Sequence, residues 1–464
     1  MIEERWRAAR NILLVRLDNL GDVLLTTPAF HAVRTSLPDA HLTLLASPVG
    51  AQVAALDPDI DDVIVYQAPW MDPWRTLPQD DEREQAMISL LKERQFDGAI
   101  IFTSFRQSAL PAAYLCYLAG IPLRVAASID GPGSLLTTRH KHPERVMHEV
   151  ERGLDLVGAI GMQTDEDDLA LQVPGDAMLA ISTMLADLNI DGRPLAVVHP
   201  GCSMPARTYP WEMYVQVIDL LIEQLGAFVV VTGMENERSL VAQVLDHIKE
   251  EYRLATLALA GVLPFPEFCA LIKAADLTIT NNTGPMHIAA AVKTPVVALF
   301  ALTNPPEQWG PWHVPHRQLY RDVACRICYS RVCPHQHECL RLVPPQTVIG
   351  AAIELLRLAQ QSESHASPQS VGTRLSASDL SPLYEPQEKH PQNAENATNV
   401  VGTRLSASDL SPLYEPQEKP PNLSQEVALE RGVEVNGAEA DALKRVPTKG
   451  VMKRVGTGRE EVAG

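Results

Sequence analysis

Nowhere in the 464 residues does an apolar run approach the ~20 needed to cross a bilayer as a helix, and charges punctuate even the richest stretches, which argues against a transmembrane span. A basic surplus is missing too. The 39 Lys and Arg stand against 57 Asp and Glu, a net charge of −18, so the footprint of nonspecific nucleic-acid binding is absent. Anionic small ligands stay open, because local arginines and helix ends bind a diphosphate whatever the global charge. Cysteine is scarce: seven in all, with Cys116, Cys202 and Cys269 scattered, an odd count that does not suggest a disulfide framework. The opening MIEERWRAARNILLVRL sets basic residues before an apolar run, as a signal peptide does. That run is short, contains Arg16 and leads to Asp18 rather than to small residues, so it reads as the first strand of a cytoplasmic protein.

What is present is an alternating rhythm. Apolar residues at 46% can fill the two or three domains that this length allows. Strand-like runs at 11–17, 41–47, 61–66, 97–102 and 124–128 alternate with helical patterns, and the rhythm restarts at 195–201, 228–233, 257–261, 277–280 and 295–300. Helical patterns at 147–158, 211–226 and 237–252 fall between such runs or after them. Alternation of this kind means βαβ units and parallel sheets. The expected fold class is α/β: two doubly wound, Rossmann-like domains at 1–175 and 190–358, facing a cleft, with a hinge between Val173 and Pro194. Ligands of such sheets sit beyond the carboxyl ends of the strands. Residues 360–464 turn to Ser, Pro, Gln, Glu and Asn, the composition of a disordered tail, and VGTRLSASDLSPLYEPQEK occurs there twice, at 371–389 and 401–419.

Three strand-to-helix turns carry candidate chemistry. In TNNTGPMHIAAAVKTPVVALF (280–300), Pro285 suits a first helical turn and Gly284 lets a ligand approach the backbone. The freed amides make an anion site, with Asn282, Thr283, Met286 and His287 beside it; a plain capped helix with a core histidine is the alternative. In HPGCSMPARTYPW (199–211), Gly201 and Ser203 can cradle a phosphate and Arg207 can bind it bidentately, unless the loop is a solvated connection. In RLDNLGDVLLTTPAF (16–30), Asn19 and Gly21 shape a tight turn, and Asp22 either caps the helix or takes a proton from an incoming hydroxyl.

Together these stretches resemble glycosyltransferase family 9, the ADP-heptose:lipopolysaccharide heptosyltransferase-like enzymes, over roughly residues 11–355. The resemblance implies a GT-B fold, a nucleotide-diphosphate-sugar donor in the C-terminal domain, and a lipid-linked or surface-polysaccharide acceptor in the N-terminal one. It also implies inversion at the anomeric carbon and peripheral attachment at the inner membrane face. Carried over by position, Asp22 matches the general base, Arg207 a basic residue on the donor phosphates, and Thr283, Gly284 and His287 the helix-end donor loop.

No cofactor is expected for catalysis. A nucleoside diphosphate leaves without a strong general acid, and no paired carboxylates for Mg²⁺ stand out in these loops. Glu235 and Glu237 are candidates for the ribose hydroxyls, or are exposed helix-start carboxylates. In CRICYSRVCPHQHECL (325–340), Cys325, Cys328, Cys333 and Cys339 either hold a structural Zn²⁺ or iron–sulfur cluster or remain thiols. A GT-B epimerase and a noncatalytic nucleotide-sugar-binding scaffold are the rival functions; no nucleic-acid partner is expected.

Overall fold

The computed structural model describes residues 2–71, 76–188, 190 and 192–365; the repeated tail lies outside them. The N-terminal lobe is built on β1 (Asn11–Arg16), β2 (His41–Ala46), β3 (Asp62–Val65), β4 (Gly98–Ile101), β5 (Leu123–Ala127) and β6 (Thr138–His140). They form one parallel sheet in the order β3-β2-β1-β4-β5-β6. The second lobe holds β7 (Leu195–His199), β8 (Phe228–Gly233), β9 (Thr256–Ala260), β10 (Leu277–Asn281), β11 (Val296–Leu299) and β12 (His316–Leu319). Their order, β12-β11-β10-β7-β8-β9, is the same topology read from the other edge.

Continuous rather than alternating apolar strands follow from this wrapping, since helices cover both faces of each sheet. Along β1, Ile12 and Leu14 pack into one cluster and Leu13 and Val15 into another on the opposite face. Along β7, Leu195 and Val197 take one side and Ala196 and Val198 the other. The interior strands therefore agree with the sequence reading to within a residue or two.

The edges do not. β6 and β12 were not expected, because TRH and HRQL are short, polar and half-exposed. Only one neighbour pairs each of them, so no apolar run was required. The helix expected over 237–252 ends at Asp246 and gives way to a 3₁₀ segment, Glu250–Ala255.

The expected hinge, 173–194, contains helix Gly175–Asp187. Its Ala177 and Ile181 enter the same apolar cluster as Cys269 and Leu271 of helix Phe265–Ala274 and as Leu24 and Phe30 of the N-terminal lobe. One core thus runs through both lobes. We keep 1–175 and 190–358 as proposed domain bounds, each containing one sheet.

Candidate active site

In both sheets the chain reverses direction of winding between two central strands, β1 and β4 in one, β7 and β10 in the other. Four loops leave the carboxyl ends of these strands, and ligands of doubly wound sheets bind at such switch points. Within each lobe, polar side chains at these strand ends bridge the two loops.

After β1, helix Leu20–Leu24 starts with a capping box in which the Asp22 carboxylate accepts the Asn19 backbone N–H at 3.1 Å. The cap uses Oδ2. Asp22 Oδ1 accepts the Ser104 hydroxyl at 3.1 Å and lies 3.5 Å from Arg16 Nη2. Arg16 is fully buried although it lies on β1, and it serves three carboxylates: Nε is 3.3 Å from Asp18, and Nη2 also lies 3.9 Å from Glu149. Arg152 pairs with Glu149 at 3.2 Å, and Gln107 donates to Asp18. Burial, then the charge of Asp18, pushes the Asp22 carboxyl up to about 6 against the pull of Arg16. Burial likewise pushes Glu149 up to about 7, opposed by Arg16 and Arg152. Burial disfavours the charge on Arg16, yet the three carboxylates hold it above its ordinary value. A cavity of about 10 Å³, room for about one water, lies among Arg16, Thr26, His142, Glu149 and Arg152.

Across the cleft, Thr283 is the N-cap of helix Gly284–Ala291, with Pro285 in its first turn. The ring of His287 lies against Gly21: a Cβ there would sit 2.6 Å from His287 Cδ2. Burial, then His148 and Arg207, depress this imidazole to about 3, so it is neutral, and its buried Nδ1 has no hydrogen-bond partner. Arg207 donates through Nε to Thr303 Oγ1 at 3.0 Å, and among the described residues it forms no ion pair. Burial lowers its basicity, while the charges of Cys202, then Asp22, act in the opposite sense. The lobes meet beside Asp22, where His287 lies over Gly21 and Leu20 lies against Gly284.

A model of glycosyltransferase family 9 (heptosyltransferase) matches residues 85–338. A lipooligosaccharide heptosyltransferase 2 of Haemophilus influenzae is 33% identical over 305 residues, covering 64% of this chain and 84% of that one. The lipopolysaccharide heptosyltransferase 3 of Escherichia coli K12 is 26% identical over 337 residues, covering 72% and 95%. The chain belongs to glycosyltransferase family 9. Two solved structures share its fold: a family 9 glycosyl transferase of Veillonella parvula (TM-score 0.62, 21% identity, 75% of this chain and 98% of that one) and E. coli ADP-heptose lps heptosyltransferase II (0.61, 21%, 75% and 99%). The fold is GT-B.

The remaining expected residues of this glycosyltransferase divide. Glu237 turns inward: its carboxylate lies over Gly201, accepts the Met234 N–H at 2.8 Å and approaches His199 at 3.5 Å. Burial alone would raise Glu237, but His199 and the Met234 amide hold it below its ordinary range. Glu235 turns outward, 71% exposed and paired with Arg238 at 2.8 Å. Ser203 is exposed on its loop, and Gly201 is buried. Asn282 is buried, donating to Asn304 Oδ1 at 3.2 Å and accepting from the Ala301 N–H at 3.1 Å. Met286 is core.

The clustered cysteines are all unpaired, and among the described residues no three of their sulfur atoms lie within 4.8 Å of one another. They are still neighbours: burial, then the charges of Cys333, Cys325 and Cys328, raises Cys339. Cys333 Sγ accepts the backbone N–H groups of His335 and His337 at 3.4 and 3.2 Å. Binding one ion by all four would require the sulfurs to move together.

Several site residues had no signal in the sequence. Arg16 sits inside an apolar strand, Ser104 and Gln107 in an unremarked loop after β4, and Glu149 on an ordinary-looking helix start. Asn281, one residue past the expected strand 277–280, ends β10. Its side chain accepts the Tyr209 N–H at 2.9 Å and donates to the carbonyls of Pro200 and Gly201 at 2.8 and 3.1 Å, so it moors the Arg207 loop to β10.

Proposed function

We propose that this glycosyltransferase moves heptose or a related sugar from a nucleotide-diphosphate donor to a lipopolysaccharide-core or other surface-glycan hydroxyl, with inversion at the anomeric carbon. The carrying observation is that the helix start bearing Asp22 packs against the start of helix Gly284–Ala291, with His287 over Gly21 and Leu20 beside Gly284. Asp22, ionised above about 6, takes the proton of the attacking hydroxyl. Negative charge grows meanwhile on the departing diphosphate, where Arg207 and the amides of the Thr283–His287 turn stabilise it. Base and phosphate pocket belong to opposite lobes, so the hydroxyl attacks the face away from the leaving group, and one displacement inverts the centre. Glu237, partly buried over Gly201, is assigned to the ribose hydroxyls of the donor. The step as written needs no metal or cofactor.

Heptose and the lipopolysaccharide acceptor are supported by the names of the relatives; work at the inner membrane face is part of the proposal. Among the described residues no helix is long and apolar enough to cross a membrane. The test is transfer from ADP-heptose and other nucleotide sugars to a lipopolysaccharide-core acceptor by the wild type and Asp22→Asn. A loss of at least about 10²-fold with donor binding retained is expected. Full activity of the variant would remove the proposed base.

A further inference from the structure

Away from the donor pocket, edge strand β6, the loop after it and helix Glu149–Gly158 converge on one carboxylate oxygen. His140 Nε2 and His142 Nδ1 lie 2.6 and 2.7 Å from Asp155 Oδ2. The three ligand atoms are within 4.8 Å of one another, and this is the one such grouping among the described residues. The rings stand edge to face, 5.1 Å apart at 86°, so their nitrogens reach the oxygen from different directions.

We infer that His140, His142 and Asp155 bind a divalent transition-metal ion. Two imidazoles and a carboxylate suit Zn²⁺, Co²⁺ or Fe²⁺ rather than Mg²⁺ or Ca²⁺, which prefer oxygen alone. Metal–ligand bonds of about 2 Å at tetrahedral angles place ligand atoms about 3.3 Å apart. The carboxylate therefore retreats from each nitrogen by under about 1 Å when an ion replaces the shared hydrogen bonds, a small rotamer adjustment. The three side chains are 18, 12 and 26% exposed, which gives an ion a route in and leaves a position for water. Arg152, one turn earlier on the helix, opposes positive charge at His142 and is paired with Glu149 at 3.2 Å.

The ion would brace rather than react. It cross-links residues fifteen apart and closes the 141–148 segment. That segment delivers His148 and Glu149 to the other lobe, where His148 Nε2 meets the Gly310 carbonyl at 3.0 Å and Glu149 accepts from Gln308 at 2.6 Å.

The experiment is a Co²⁺ titration of the full-length protein, stripped with chelator, followed by visible and near-ultraviolet absorption. Saturable d–d bands without thiolate charge transfer are expected, at least tenfold weaker in affinity in His140→Ala and His142→Gln and unchanged in Cys325→Ser/Cys328→Ser. His142→Gln keeps a hydrogen-bond partner for Asp155, so its fold is retained, and metal-free thermal unfolding checks this. Zn²⁺ should raise the Tm of the wild type and not that of His142→Gln. Absence of Co²⁺ and Zn²⁺ binding, or a spectrum dominated by thiolate bands and indifferent to both histidine substitutions, overturns the site.

Discussion

A carboxyl held near 6 does two things at once at Asp22. It leaves the group ionised at neutral pH yet basic enough to take a proton, so kcat/KM should fall about tenfold per pH unit below about 6 and level off above. Its folded pKa exceeds the ordinary 3.8, so its ionisation costs stability. That cost is absent where both folded and unfolded forms are protonated, grows as pH rises from about 4, and is complete above about 6. Asp22→Asn should therefore unfold at higher urea than the wild type at about pH 8, with the gap closing as pH falls through about 6. Arg207 answers on the donor side. Arg207→Ala should lower kcat by about 10²- to 10³-fold, the usual loss for one preorganised donor, while the KM for the acceptor barely moves.

At the level of elements, the turns after β7 and β10 matter more as a pair than singly. Asn281 joins them through three hydrogen bonds while fully buried, so Asn281→Ala should destabilise the fold by about 1–3 kcal/mol and loosen the Arg207 loop. Urea unfolding reads the first effect, and a rise in donor KM reads the second. Sequence pattern revealed the interior strands because burial on both faces demands unbroken apolar runs, as in β1 and β11. It singled out Asp22, Arg207 and the 283–287 turn as candidates because strand-to-helix loops advertise themselves with Gly, Pro and polar residues. It missed Arg16, Ser104 and Glu149, because what brings them to the site is a meeting of a strand end, a separate loop and a helix start, which no local spacing encodes. Edge strands β6 and β12 escaped for a related reason: pairing on one side leaves their composition free.

For the described chain as a whole, the apolar cluster joining Leu24 and Phe30 to Ile181, Cys269 and Leu271 ties the lobes into one cooperative body. Scanning calorimetry should give a single endotherm for them with calorimetric and van't Hoff enthalpies in agreement, and two separable transitions would contradict the shared core. The lobes also meet where Gly21 lies under the His287 ring. A hydrogen atom in place of a methyl is all that permits that proximity, and the seam lies beside Asp22, the carboxylate proposed to meet the sugar. The absent carbon thus acts as a shim of zero thickness: it sets how near the two halves of the catalyst come to each other, and so the distance over which a glycosidic bond has to form.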